Sequence, residues 1–263
     1  MRWKLKALGV RGSMPAAAAE FMEYGGNTSS FCLEAGEHIL LDTGTGICSL
    51  RDFPDRRPIH ILISHVHLDH ISGLPGFAPI YEAGREIHVY GQCRNGESIG
   101  KQLGKILAPP FWPISIEHAP AGIHFHDVKP GETFPIGEIA VDTVSLNHPD
   151  GCTGFCISGA GKKLCYLLDC ELQASPDGNA ELIHFMENSD AVIMDGMFLP
   201  GAVIPGFGHS SWNQCVHTAK QANVKRTIIS HFGCTMTDKM LRLQEEAALG
   251  TCLFAREGME LEI

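Results

Sequence analysis

The 263-residue chain is 44% hydrophobic and 19% charged, which excludes a disordered polymer and leaves enough apolar material for a sizeable core. Its formal net charge of −10 argues against a protein that grips long nucleic acid through its general field, and is compatible with a small anionic substrate held at a local cationic centre. No apolar run approaches the length needed to cross a bilayer.

At the amino terminus Lys4, Lys6 and Arg11 interrupt the only apolar stretch, so no secretion signal forms; a cytoplasmic location without a membrane partner is expected. The ten cysteines form no C-x-x-C pair and are read as reduced thiols. In chain order, strands are predicted at 4–10, 30–33 and 38–42, a helix at 46–53, strands at 59–64 and 86–90, and a helix at 97–107. The stretch Ala108 to Pro113, "APPFWP", cannot continue that helix, and is either a rigid aromatic loop near a pocket or a packed connection. Strands at 139–147, 154–158 and 163–168 follow, then a helix at 180–188 and a strand at 191–195. A helix at 212–222, with Gln214 placed to form a capping box with Ser211, a strand at 227–230 and a helix at 238–249 complete the chain. Runs of strands in both halves, each followed by helices, predict two packed sheets with helices outside. No linker divides the chain, so residues 1–263 are read as a single domain.

The strand predicted at 59–64 runs into "SHVHLDHISGLP", which places three histidines and an aspartate within six residues. In an extended segment residues two apart share a side, so His65 and His67 can reach one point, while Asp69 and His70, beyond the turn, can face another. Each pair is too few for a metal, since catalytic zinc takes three protein ligands. The ends of later strands offer the remainder: His148, Asp169 and His231 each sit just past a predicted strand. A carboxylate suits a shared position because its two oxygens can bridge two cations.

These residues resemble the metallo-β-lactamase superfamily, whose signature H-x-H-x-D-H stands here as His65, His67, Asp69 and His70. "GVRGSMP", "YGGNTSS", "LLDTGTGI", "LNHPDG" and "GHSSW" are similar to blocks of its phosphodiesterase-like branch, which includes ribonuclease Z and cyclic-phosphate phosphodiesterases. The resemblance implies an α/β four-layer αββα sandwich with a dinuclear site at one edge. It implies that His65, His67 and His148 hold one metal, that Asp69, His70 and His231 hold the other, and that Asp169 bridges them. An aspartate at 169, where two-zinc lactamases commonly carry cysteine, turns the expectation away from antibiotic hydrolysis. Nothing in the chain looks like the long arm with which ribonuclease Z holds tRNA.

His209 lies in the glycine-rich turn "GFGHSSW" ahead of a helix. It can cap its own turn, but in the phosphodiesterase-like branch the matching histidine faces the scissile phosphate. The helix start at Ser210–Ser211 is a further candidate holder of a phosphate oxygen. Asp42 is expected to accept a hydrogen bond from a ligand histidine, and Asp195 is a strand-end carboxylate near the site edge. His124 and His126 read as a solvated strand face, and His38, His60, His88, His118, His184 and His217 belong to no constellation.

The expected activity is therefore that of a metal-dependent hydrolase, cleaving a small or cyclic phosphodiester through a hydroxide shared by two divalent ions roughly 3.5–4 Å apart. Zinc is favoured, with manganese or iron also compatible. Asp69 would orient the nucleophile and His209 would assist the departing oxygen. A thioester or lactone hydrolase on the same metals is the alternative, and a non-catalytic metal-bound nucleotide sensor is the alternative of another class. The expected partner is a small anionic phosphodiester and not long nucleic acid; a homo-oligomer is left open.

Overall fold

Apolar runs without alternation mark strands covered on both faces, and such runs build the middle of this fold. The computed structural model describes residues 2–263. Its strands are β1 (Lys4–Gly9), β2 (Arg11–Gly12), β3 (Ser30–Glu34), β4 (His38–Leu41), β5 (Ile59–Ile63), β6 (Glu86–Gln92), β7 (Gly122–Val128) and β8 (Thr133–Ile136). They continue with β9 (Ile139–Leu146), β10 (Cys152–Gly159), β11 (Lys162–Leu167), β12 (Ala191–Asp195), β13 (Thr227–Ser230), β14 (Phe232–Gly233), β15 (Leu253–Phe254) and β16 (Glu260–Glu262). The helices are α1 (Leu68–Ile71), α2 (Ile99–Gly104), α3 (Ala180–Phe185), α4 (Trp212–Gln221) and α5 (Asp238–Ala247).

One seven-stranded sheet has the order β16-β1-β3-β4-β5-β6-β7, the other β15-β13-β12-β11-β10-β9-β8, and β14 pairs with β2. β4 to β7 run parallel, as do β11, β12, β13 and β15. Every residue of β4, β5, β12 and β13 is buried. Successive apolar side chains of β4 and β5 enter different cores. Ile39, Leu41 and Leu62 join Phe155, Ile157 and Tyr166 of the second sheet, while Leu40, Ile59, Ile61 and Ile63 pack outward with Leu74, Phe77 and Leu103. Each such side chain contributes about 1.5–3 kcal/mol by leaving water. α4 covers β12 and β13 through Cys215, Val216 and Ala219, and α2 covers β6 and β7. The αββα layering expected from the sequence is thus present. Its parallel strands bring their carboxyl ends to one edge, where ligands gather in α/β sheets.

Four local expectations change. The helix expected at 46–53 is a 3-10 turn, Thr45–Ser49, whose Gly46 lies against the β1 backbone, where a Cβ would sit 2.4 Å from Leu8. The helix expected at 97–107 shortens to α2, capped by Ser98. β7, expected only as the solvated strand face of His124 and His126, extends over Gly122–Val128 as a half-exposed edge strand. Finally, the reading of all cysteines as thiols fails at one pair, since Cys156 and Cys165 face each other across β10 and β11 and are joined as a disulfide.

The 108–113 segment is a largely exposed connection tethered by Trp112, which lies against the outer core and donates from Nε1 to the Tyr81 hydroxyl at 3.0 Å. The capping box at α4 is present, with Gln214 Oε1 accepting from the Ser211 N–H at 3.1 Å. Among the described residues no helix is long and apolar enough to cross a membrane.

Candidate metal centre

Three side chains of this site leave the sheets in the same way. Asp42, Asp169 and His231 follow β4, β11 and β13, and each adopts a left-handed backbone, with φ of 57°, 58° and 60°. That conformation is uncommon outside glycine and costs on the order of 1–3 kcal/mol where surrounding structure enforces it. His65 and His67 extend beyond β5, and α1 then turns Asp69 and His70 back over the sheet edge. His148 sits in the loop between β9 and β10.

The seven residues singled out as metal ligands converge. His65, His67, His148 and Asp169 each offer a donor atom within 4.8 Å of the others, and so do Asp69, His70, Asp169 and His231. Asp169 divides itself between the two groups. Its Oδ2 lies 3.6 Å from His65 Nε2 and 3.5 Å from His148 Nε2, while its Oδ1 lies 3.2 Å from His70 Nε2 and 3.1 Å from His231 Nε2. Asp69 Oδ2 is 3.1 Å from His231 Nε2 and accepts from the Ser13 N–H at 2.6 Å.

The outward nitrogens of these rings fix which lone pairs face inward. His148 Nδ1 is 3.0 Å from the Gly208 carbonyl, which only accepts, so the proton resides on Nδ1 and Nε2 presents its lone pair. His70 Nδ1 donates to Asp42 Oδ2 at 2.7 Å, as the sequence reading of Asp42 expects. Asp42 is itself held by the Ser64 N–H at 2.7 Å and by the Ser64 and Tyr166 hydroxyls at 2.8 Å. The inward-facing nitrogens crowd together: His148 Nε2 is 3.1 Å from His67 Nδ1, and His70 Nε2 is 3.2 Å from His231 Nε2. His65 Nε2 and Asp169 Oδ1 are buried without a hydrogen-bond partner among the described residues. Converging lone pairs and orphaned buried acceptors fit divalent cations, one in each donor group.

The electrostatics mark a site whose carboxylates draw positive charge inward. Burial and the neighbouring His70 imidazole push His65 well below its ordinary pKa, keeping it a neutral donor. Burial opposes charge on His70, yet Asp169, Asp69 and Asp42 outweigh it and hold the ring well above its ordinary value. Burial likewise works against the Asp69 and Asp169 carboxylates, but the facing His70 and His231 rings keep both well below the usual range.

His209 stands at the side of this cluster, its ring 5.0 Å from that of His148 and stacked 5.1 Å from that of His231. Its Nδ1 donates to Asp195 Oδ2 at 2.7 Å, which leaves Nε2 as the free nitrogen. Burial works against charge on His209, but Asp195 prevails and raises its pKa. Asp195 ends β12 and is fully buried, its other oxygen accepting from the Met197 N–H at 2.7 Å. The sequence marks Asp195 only as a strand-end carboxylate; its pairing with His209 needs the strand order. Glu171, which sequence reasoning missed, accepts from the Gly206 and Gly208 N–H groups at 2.8 and 2.9 Å and anchors the turn that carries His209.

Two expectations near the site are not met. Ser210 is fully buried, donating to the Cys170 carbonyl at 2.6 Å and accepting from the Leu172 N–H at 2.9 Å, so it is not free for a phosphate oxygen. Four histidines outside the site do form a constellation. Parallel register sets His60, His88 and His124 side by side, with rings stacked 5.2 and 4.9 Å apart, and His126 lies 3.0 Å from His88. Their near-parallel planes do not aim lone pairs at a common point.

The family described as the Beta-lactamase superfamily domain matches residues 37–232, about three quarters of the chain. A ribonuclease Z from Archaeoglobus fulgidus is 23% identical, over an alignment covering 100% of this chain and 98% of the relative. Among solved structures, the metallo-beta-lactamase fold protein YhfI from Bacillus subtilis is similar with a TM-score of 0.76 at 19% identity, over 100% of this chain and 99% of that one. A diphosphatase from the PhnP family is similar with a TM-score of 0.71 at 17% identity, over 100% and 98%. At these identities the structures establish the fold. The ribonuclease relative overturns the exclusion of long nucleic acid drawn from the net charge of −10. That count averages the whole surface, whereas exposed charges act over a Debye length of about 8–10 Å, so the total says little about the field at one sheet edge.

Proposed function

The chain belongs to the beta-lactamase superfamily and is a metal-dependent hydrolase, and from that premise we propose that it cleaves a phosphodiester, small or cyclic in its preferred form. We propose that His65, His67 and His148 hold one divalent ion and Asp69, His70 and His231 a second, with Asp169 shared between them. Donors for each ion come from both sheets, which supports reading residues 1–263 as one domain. Zinc suits the imidazole and carboxylate set, and manganese or iron are compatible. When bound, the ions supply Lewis acidity and lower the pKa of the attacking water.

The observation that carries the reading is the Asp195–His209 pair beside the cluster. Hydrolysis of a phosphodiester expels an alkoxide, and an imidazolium whose Nδ1–H is held by a carboxylate can give its Nε2 proton to that oxygen. Asp195 fixes the ring and favours its charged form. On the other side, the Ser13 N–H holds Asp69 Oδ2 in place, where the carboxylate orients the attacking water. The ribonuclease Z and diphosphatase relatives act, by name, on phosphorus–oxygen bonds, which supports phosphorus over a carbonyl carbon.

Metal-loaded protein tested on a chromogenic phosphodiester, a cyclic nucleotide, a thioester and a lactone decides the matter. The diesters are expected to turn over fastest, and His209→Ala is expected to retain its metals while losing most turnover. Faster thioester or lactone cleavage, or full activity in His209→Ala, would refute the proposal.

A further inference from the structure

The clustered histidines and aspartates occupy one edge of the sandwich, and the opposite edge holds a cavity of about 270 Å³. Glu37 lies just before β4, whose far end leads to Asp42, and Ile139 opens β9, whose far end leads to His148. Gly159 closes β10, the strand that begins beyond His148, and Trp3 precedes β1. These residues, with Glu138, line a space between the two sheets at the end away from the candidate metal centre.

The polar groups of this cavity lack partners. Trp112 donates from Nε1 to the Tyr81 hydroxyl and Trp212 to Gln244 Oε1, each at 3.0 Å. Trp3 is fully buried, yet its Nε1 has no acceptor among the described residues, a costly state for a donor. The indole turns that edge towards the cavity. A Cβ on Gly159 would lie 3.5 Å from Trp3 Cζ2, which is bonded to the ring carbon that carries Nε1. The same Cβ would lie 3.4 Å from Ile139 Cγ1 and 3.6 Å from the Glu138 carbonyl oxygen, so Gly159 faces the lining residues with room for a side chain.

Glu37 leans across from the first sheet to the second: its Oε1 would be 2.2 Å from a Cβ on Gly137, in the turn between β8 and β9. Among the described residues neither Glu37 nor Glu138 has a salt-bridge partner. Arg57 donates to the neighbouring Gly36 carbonyl but is paired with Asp55 at 2.9 Å.

We propose that this cavity binds a small organic cation, a protonated amine with an oxygen close to its nitrogen. The ammonium goes to the Glu37 and Glu138 carboxylates, the carbon chain lies along Trp3 and Ile139, and the oxygen accepts from Trp3 Nε1. Two carboxylates without a counter-ion repel an anion. A bare calcium ion is poorly served, since it takes about six to eight oxygens and much of this wall is hydrocarbon. The site is independent of the hydrolytic chemistry at the other edge.

The test follows the Trp3 indole N–H by NMR in isotope-labelled, metal-loaded protein, its signal identified by elimination with Trp112→Phe and Trp212→Phe. Ethanolamine is expected to move this signal saturably. Ethylamine, which lacks the oxygen, is expected to bind about threefold weaker or more, and ethylene glycol, which lacks the charge, not to saturate. Glu37→Gln and Glu138→Gln together are expected to weaken ethanolamine about tenfold, the worth of two partly exposed ion pairs. Gly159→Leu is expected to fill the cavity and remove binding with metal content unchanged. A signal that ethanolamine does not move overturns the proposal, as does ethylene glycol binding equally well, which would leave a pocket for water alone. The same shift with calcium chloride, or ethanolamine binding undiminished in the double glutamine variant, overturns it too.

Discussion

Gly208 and His148 are in contact in a way that permits no side chain on the glycine. The Gly208 carbonyl accepts from His148 Nδ1 at 3.0 Å, and a Cβ on Gly208 would stand 2.3 Å from that same nitrogen. With φ at +81°, the residue is also in a conformation that other residues rarely adopt. Gly208→Ala should therefore push the His148 ring off its line and weaken the ion it shares with His65 and His67. Loss of a partner that orients a metal ligand typically costs about 10–100-fold in affinity. Titration with a metal indicator should show one weakened site of two; two undisturbed sites would separate Gly208 from metal binding.

Asp195→Asn keeps the shape of the His209 partner and removes its charge. Turnover of a phosphodiester should fall about 10²–10³-fold, within the range of general acid catalysis, with metal content unchanged. The double variant with His209→Ala should be little worse than His209→Ala alone, because the two residues act as one unit. Additive losses would show that Asp195 acts elsewhere.

Removing the ions by chelation should abolish activity and also lower stability. His65 Nε2 and Asp169 Oδ1 are then left buried without partners. Each ion present at 100 times its dissociation constant stabilises the fold by about 3 kcal/mol. Denaturant midpoints with and without chelator provide the comparison. A midpoint indifferent to chelation would mean that the fold does not depend on loading.

The histidine stack predicts a sensitivity to acid. Burial, reinforced by His88, His126 and His38, pushes His60 down to about 4, against about 6.5 in the unfolded chain. The unfolded state thus takes up a proton that the folded state refuses. The resulting stability is complete above pH 6.5 and is lost as pH falls towards 4, for a total on the order of 3 kcal/mol. His60→Phe should lose about 2 kcal/mol less than the parent between pH 7.5 and pH 4.5, measured with chelator present in both. Equal losses would exonerate His60.

Much of this was legible in the sequence, for physical reasons that particular residues show. The candidate ligands His65, His67, Asp69 and His70 lie within six residues, and His148, Asp169 and His231 each follow an apolar run, so the sequence marks all seven as candidates. β5 and β12 are apolar at nearly every position because both faces are covered. By contrast, the partnership of Asp195 with His209 and the stacking of His60, His88 and His124 depend on which strands lie side by side. Spacing along the chain does not encode that order. The 46–53 segment looked helical because its residues tolerate a helix; only a 3-10 turn forms there. Net charge misjudged nucleic acid because it is a sum, and recognition is local.

The left-handed backbones at Asp42, Asp169 and His231 carry a consequence for inheritance. At these three places the main chain screens replacements before chemistry does. Branched residues such as valine or threonine are turned away by their own Cβ substituents, whereas aspartate, asparagine and histidine are tolerated. Descendants of this chain can thus exchange one oxygen or nitrogen donor for another at a strand end with little disturbance to the sheets. The scaffold keeps a short vocabulary of ligands available, and new activities would be drawn from it.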